Sequence, residues 1–137
     1  MSTVIVNTLT GTSTAGSISV TGEGNSTTTN LQQGLAKAWG VFNGTGTIAI
    51  RDSHNFSSIA DTASGRITAS INSDMASANY SIGALATDYH VHEKDYNGTD
   101  ATATLYRLYT FLVSSTNGST TANEEDRVYA HIFGDLA

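Results

Sequence analysis

The feature that most constrains this chain is the rhythm of its apolar residues. From Ala38 onward they recur at every second position in short runs, and each run stops at a cluster of Gly, Asn, Asp or Ser. RITASIN puts Ile67, Ala69 and Ile71 on one side, and NYSIGALATDYHVHEK does the same with Tyr80, Ile82, Ala84 and Ala86. A strand sends successive side chains to opposite faces, so this pattern predicts half-buried strands. Short strands at close, fairly even spacing predict an antiparallel sandwich, barrel or meander. The one helix candidate, NLQQGLAKAW, is interrupted by Gly34 and reads as a short turn at most. Proline is absent, so no strand is vetoed for want of a backbone donor. The expected fold class is all-β, an antiparallel β-sandwich or meander with an extended N-terminal arm.

The arm is residues 1–34. Its apolar pairs, Val4 with Val6 and Ile18 with Val20, alternate inside a background of Thr, Ser, Gly and Asn that offers little to bury. Such a segment cannot build a core and is expected to dock on another subunit or a larger assembly. Residues 35–137 form the sandwich-like domain. Within it, Asn43-Gly44 and Asn97-Gly98 are the expected hairpin turns. TATLYRLYTFLV is apolar on both faces: Tyr106 and Leu108 share one, Tyr109, Phe111 and Val113 the other. That predicts either a central strand or one buried a second time in a subunit contact.

Charge excludes several function classes. The net charge is -6, with no cluster of Lys or Arg, so the field has the wrong sign for nucleic acid or an anionic membrane. Ser and Thr make up roughly a quarter of the chain, above ordinary usage, while only 13% of residues are charged. Cysteine is absent, which removes disulfides, thiol catalysis and Cys-based zinc sites. The N-terminus lacks the pattern of a signal peptide and no apolar run is long enough to span a bilayer, so export by the usual secretory signal is not expected.

Candidate chemistry is sparse. Arg51-Asp52-Ser53-His54 has the letters of an acid, base and nucleophile, but on a strand Asp52 and His54 point one way and Ser53 the other. A strand end leading into a structural turn is expected there, with Arg51 on Asp52 or a neighbouring carboxylate and Asp52 or Ser53 on backbone donors. Asp88, His90 and His92 are two apart and would share a strand face. Two imidazoles at that spacing can ligate a transition metal, and a three-fold ring of His90 and His92 would supply six nitrogens. EKDYNGTD carries oxygen ligands at Asp95, Asn97 and Asp100 but lacks the remaining spacing of a calcium loop. Asn-x-Ser/Thr triplets at Asn25, Asn43, Asn79 and Asn117 are what a chain this rich in Ser and Thr makes by chance. No phosphate loop, dinucleotide fingerprint or zinc motif is present, so no cofactor and no enzymatic activity are expected.

Several separated segments together resemble a known module. AKAWGVFNGTGTIAIRDSHNFSSIAD, then SGRITASINSDMASANYSI, then VYAHIFGDLA, are similar in order to a domain of bacteriophage tail-fibre and other virion structural proteins from phages of marine bacteria and cyanobacteria. The matching positions are Lys37, Trp39, Phe42, Asn43, Gly44, Thr45, Gly46, Arg51, Asp52, Ser53, Met75, Ala78, Asn79, Tyr80, Phe133 and Gly134, and the resemblance runs from about Gly34 to the C-terminus. It implies an oligomeric, favourably trimeric, non-catalytic β module on the exterior of a virion. Trp39, Phe42, Arg51, Asp52, Tyr80, Tyr109, Phe111 and Phe133 then become core or interface residues.

Two functions follow as expectations. One is structural: the arm docks on capsid or tail protein and the domain projects as a fibre, short spike or decoration subunit. The other is recognition: the outer loops NFSSIADTASG, EKDYNGTD and SSTNGSTTANEED hold a host glycan or surface protein, with Asn55, Tyr96, Asn97 and Asn117 as contact residues. Glycoside hydrolysis would need two carboxylates across a cleft, for which so small a module has little room.

Overall fold

The computed structural model describes residues 3–11, 18–22, 27–88, 90–92, 101–113 and 118–137, and the side chains of His92 and Leu112 also lie outside the description. The chain divides into two compact units, residues 1–35 and 36–137.

In the first unit, β1 (Ser19–Thr21) pairs antiparallel with β2 (Thr28–Asn30), Ser19 opposite Asn30 and Thr21 opposite Thr28. A single helical turn, α1 (Leu31–Gly34), follows at once. It is capped by the Asn30 side chain, whose Oδ1 accepts the Gln33 N–H at 3.2 Å, and it stops at Gly34 as expected of that residue. Residues 3–11 carry no regular secondary structure, and Val4, Ile5, Val6 and Leu9 are all exposed.

The second unit holds nine strands among the described residues: β3 (Ala38–Asn43), β4 (Ala49–His54), β5 (Phe56–Ala63), β6 (Arg66–Ile71), β7 (Ser81–Ala86), β8 (His90–His92), β9 (Leu105–Val113), β10 (Thr120–Ala122) and β11 (Val128–Phe133). They form two antiparallel sheets in a sandwich, as the alternation predicts. One has the order β4-β3-β11-β7, and the other runs β10-β9-β6-β5 with β8 also on β9. β9 therefore has three neighbours. Tyr109 pairs with both Arg66 of β6 and His92 of β8, and Phe111 with both Ala122 of β10 and His90 of β8. A strand has only two edges, so β6 and β10 share one of them and β8 takes the other. The seam falls at Thr110, which donates its N–H to Gly65 O at 2.8 Å, accepts from Asn123 N at 3.1 Å, and holds its hydroxyl between the Gly65 and Asn123 carbonyls.

The core lies between the sheets. β3 and β11 contribute Ala38, Phe42, Val128, Ala130 and Ile132, while the other sheet contributes Phe56, Ile67, Ala69, Ile71, Tyr106 and Leu108. Three rings run through it: Phe42 meets Phe56 edge-on at 5.4 Å, and Phe56 stacks on Tyr106 at 6.1 Å. Gly40 leaves the room Phe42 needs, since a Cβ there would fall 2.6 Å from two of its ring carbons.

Some expectations are corrected and others are met. The segment 80–92 is not one strand. β7 and β8 belong to different sheets, and Asp88 sits in the bend between them, not on a strand face with His90. The hairpin expected at Asn43-Gly44 is present and carries a bulge, β3 pairing with β4 across a register shift at Val41/Phe42. The β3–β4 connection spans residues 44–48, Gly46 rather than Asn43 takes the positive φ (+60°), and the Asn43 amide donates to Thr45 O and Thr47 O at 2.9 and 3.0 Å. The presumed loop NFSSIADTASG is mostly β5. On β9 the first of the two expected alternatives holds: it is a central strand, paired on both edges, and of its outward row Tyr109 and Phe111 are covered within the chain while Val113 is exposed. Tyr109 and Phe111 are each only 8% exposed; they stack on one another at 5.3 Å, with Arg66 over Tyr109 and His90 over Phe111.

Candidate functional site

Among the described residues of the second unit, three of the five exposed large apolar side chains, Trp39, Leu85 and Tyr129, lie on the outward face of the β4-β3-β11-β7 sheet. Alternation on β3 sends Ala38, Gly40 and Phe42 inward and Trp39 and Val41 outward; on β11 it sends Val128, Ala130 and Ile132 inward and Tyr129, His131 and Phe133 outward. The register lines these up in two rows. His54, Trp39, His131 and Gly83 cross the four strands side by side, followed by Asp52, Val41, Tyr129 and Leu85. Trp39 is 38% exposed, Tyr129 39% and Leu85 69%. Gly83 is required by this face: the His131 ring lies across it and would overlap any Cβ there, and the same ring meets Phe133 edge-to-face at 5.6 Å. The result is an exposed sheet face with a tryptophan and a tyrosine at its middle and imidazoles and a carboxylate beside them. It can stack on an apolar face of a ligand and hydrogen-bond around that contact. Trp39 and Phe42, two residues expected to act as anchors, thus divide: Phe42 is core and Trp39 is surface.

Asn55, expected to contact a ligand from a loop, is instead a structural corner. It is the single residue between β4 and β5, where the chain leaves one sheet for the other, and it takes φ of +62°. Its Nδ2 donates to Lys37 O and Ser73 O, both at 3.0 Å, and its Oδ1 accepts Ser73 N at 2.7 Å. With its amide committed to three backbone groups, little of it is left for a ligand. Tyr96, Asn97 and Asn117 lie outside the described residues.

Arg51 ion-pairs with Asp126 and also reaches Asp126 O at 3.2 Å, while Asp52 accepts the Ser53 N–H at 2.9 Å. Residues 51–54 form the end of β4, as expected of a strand end with Asp52 and Ser53 on opposite faces, and the turn itself comes only after them, at Asn55. Tyr80 packs against the core with its hydroxyl on the Thr102 and Leu105 carbonyls, at 2.9 and 3.2 Å. Burial pushes its pKa up to about 12 despite the Arg107 charge nearby. His90 is exposed and stacked on Phe111 at 5.8 Å; the His92 side chain lies outside the described residues. Among the described residues no three metal-binding side chains are gathered in one place.

A second feature escapes sequence reasoning. Two sheet-to-sheet crossings, β7–β8 and β10–β11, come together in a cleft of about 500 Å³ lined by Thr87, Asp88, Glu124, Glu125, Asp126, Arg127 and Tyr129. Glu125 is only 3% exposed. Its carboxylate takes backbone N–H bonds from Asp88 and Thr87, and its own carbonyl accepts Gly44 N at 2.8 Å, so it ties three connections together. Its Oε1 has no hydrogen-bond partner among the described residues. Burial, and then the neighbouring Asp88 charge, hold its pKa above the ordinary carboxylate value. In sequence Glu124-Glu125-Asp126 reads as a solvated loop, and nothing local marks the middle carboxylate as buried.

No protein-family model, no curated protein and no solved structure matches this chain.

Proposed function

We propose that the chain is a non-catalytic virion structural module, a fibre-, spike- or decoration-type subunit, whose first unit docks on another virion protein and whose sandwich faces outward. The observation that carries this reading is the state of residues 3–11. Val4, Ile5, Val6 and Leu9 are 82, 90, 58 and 59% exposed. A segment without regular secondary structure whose β-branched side chains are uncovered is suited to adding to a sheet edge or threading a groove on a partner. Mass spectrometry of gradient-purified particles tests it directly. The chain should be present at fixed stoichiometry, and a version lacking residues 1–29 should be missing from the particles while still folding. Particles without the chain would refute the reading.

The Trp39 face favours a second role, attachment to a host-surface saccharide. Sugar rings present apolar faces that stack on indole and phenol rings, while His54, His131 and Asp52 stand ready for hydroxyls. The diagonal separation of Trp39 and Tyr129, roughly 7–8 Å for neighbouring strands, suits adjacent sugar rings. Binding to host cells or extracted polysaccharide should fall with Trp39→Ala and be spared by Leu136→Ala, a change at an exposed residue off that face. Equal binding by both variants would remove this role.

A further inference from the structure

Glu125 poses a physical problem. A carboxylate taken out of water normally finds a counter-charge or a full set of donors, because an uncompensated buried charge is costly. Here the two backbone donors satisfy part of the group, Oε1 is unpartnered among the described residues, and the charges that bear on it, those of Asp88 and Asp126, are both negative. The arginines of this corner do not relieve it. Arg51 pairs with Asp126, and Arg127 Nε lies 3.7 Å from the other oxygen of the same residue. Asp126 is thus neutralised from two sides, while Glu125, Asp88 and Glu124 line the cleft as carboxylates.

We propose that this cleft binds a hydrated divalent cation of the calcium or magnesium type, with Glu125 and Asp88 as its direct carboxylate ligands and water in the remaining positions. Hard cations take oxygen ligands and are often held by only one or two carboxylates with retained waters. That suits a site where no three metal-binding side chains converge and where the space, about 500 Å³, holds an ion with its water shell. The site joins two crossings that connect the sheets, so the ion stabilises the fold where the chain changes layer. Few protein ligands imply weak binding, on the order of 0.1–1 mM, as in extracellular calcium modules. The inference is independent of the virion reading and stands or falls on the isolated protein.

Terbium provides the test, because Tyr129 lines the cleft and can pass excitation energy to a lanthanide bound there. The full chain, stripped with chelator, is titrated with Tb³⁺ under tyrosine excitation, and Ca²⁺ is then added. Saturable emission displaced by Ca²⁺ but not by NaCl of equal ionic strength is expected. In Glu125→Gln the affinity should drop on the order of ten-fold, as it should in Asp88→Asn. Asp88 is exposed, so that second variant decides the matter even if the first fails to fold. Absence of saturable emission, displacement by NaCl, or unchanged affinity in Asp88→Asn would overturn the assignment.

Discussion

Replacing Asn55 with alanine should destabilise the sandwich by about 3 kcal/mol, a large part of the 5–15 kcal/mol that a domain of this size has to lose. Two independent costs add. The substitution removes three hydrogen bonds, to Lys37 O, Ser73 O and Ser73 N, of which the first is partly buried and the other two are exposed. With water replacing the exposed pair, the three together contribute about 2 kcal/mol. The backbone adds a second cost. At φ of +62° an asparagine is tolerated, whereas alanine incurs about 1 kcal/mol from its Cβ.

Glycine separates the two effects. Asn55→Gly loses the same three bonds but not the Cβ strain, and it gains disorder in the unfolded chain, so it should be destabilised by about 2–3 kcal/mol and never more than the alanine variant. Chemical denaturation with intrinsic fluorescence measures both, and a loss of 3 kcal/mol should appear in a thermal scan as a drop of about 12–24 °C for roughly 100 residues. An alanine variant within 1 kcal/mol of wild type, or a glycine variant less stable than the alanine one, would refute the account of Asn55 as the corner that fixes the crossing.

Gly65→Ala should cost about 3 kcal/mol or more by the same methods, because φ there is +68° and a Cβ would fall 2.5 Å from Thr110 O and 2.7 Å from Asn123 O, both backbone; a mild variant would contradict the shared-edge seam at Thr110. Glu125 has a folded-state pKa above its unfolded one, so the folded protein binds the extra proton and stability falls as pH rises from the ordinary carboxylate value through the raised one. Glu125→Gln should therefore gain relative to wild type between acid and neutral pH, and a difference independent of pH would show that the carboxylate is not desolvated. Tyr80 behaves in the same sense at alkaline pH: its phenol titrates at about 12 against 10 when unfolded, so stability should decline between those values, and Tyr80→Phe should be less stable at neutral pH but lose this decline. In light scattering, the sandwich residues 36–137 should remain a single species without residues 1–35, since Tyr109 and Phe111 are already covered within the chain; aggregation on deletion would show that β9 needs a partner.

What could be read from the sequence follows the range of the physics involved. Alternation is local, so Ile67, Ala69 and Ile71 on β6 and Val128, Ala130 and Ile132 on β11 could be placed on one face without any knowledge of their neighbours. Gly34 stopping the helix is equally local. Even the outward turn of Trp39 is available from counting, because it stands three positions from Phe42 on one strand and the two must face opposite sides. What counting cannot supply is which outward face stays bare. Tyr109 and Phe111 look outward as Trp39 does, yet Arg66 and His90 cover them from β6 and β8, and only the pairing of β9 with both strands makes that so.

The crossings mark where local reading ends. Asn55 looks like any loop asparagine until Lys37 and Ser73, each 18 residues away, are brought to its amide. Glu125 looks solvated until Thr87 and Asp88 arrive from the other crossing to occupy one of its oxygens. A residue that turns the chain from one sheet to the other must satisfy backbone groups from both, and partners so distant in sequence leave no periodic trace. Asn55 and Glu125 are both such residues, and the half-satisfied carboxylate of Glu125 is where the proposed cation would add to the stability of a crossing.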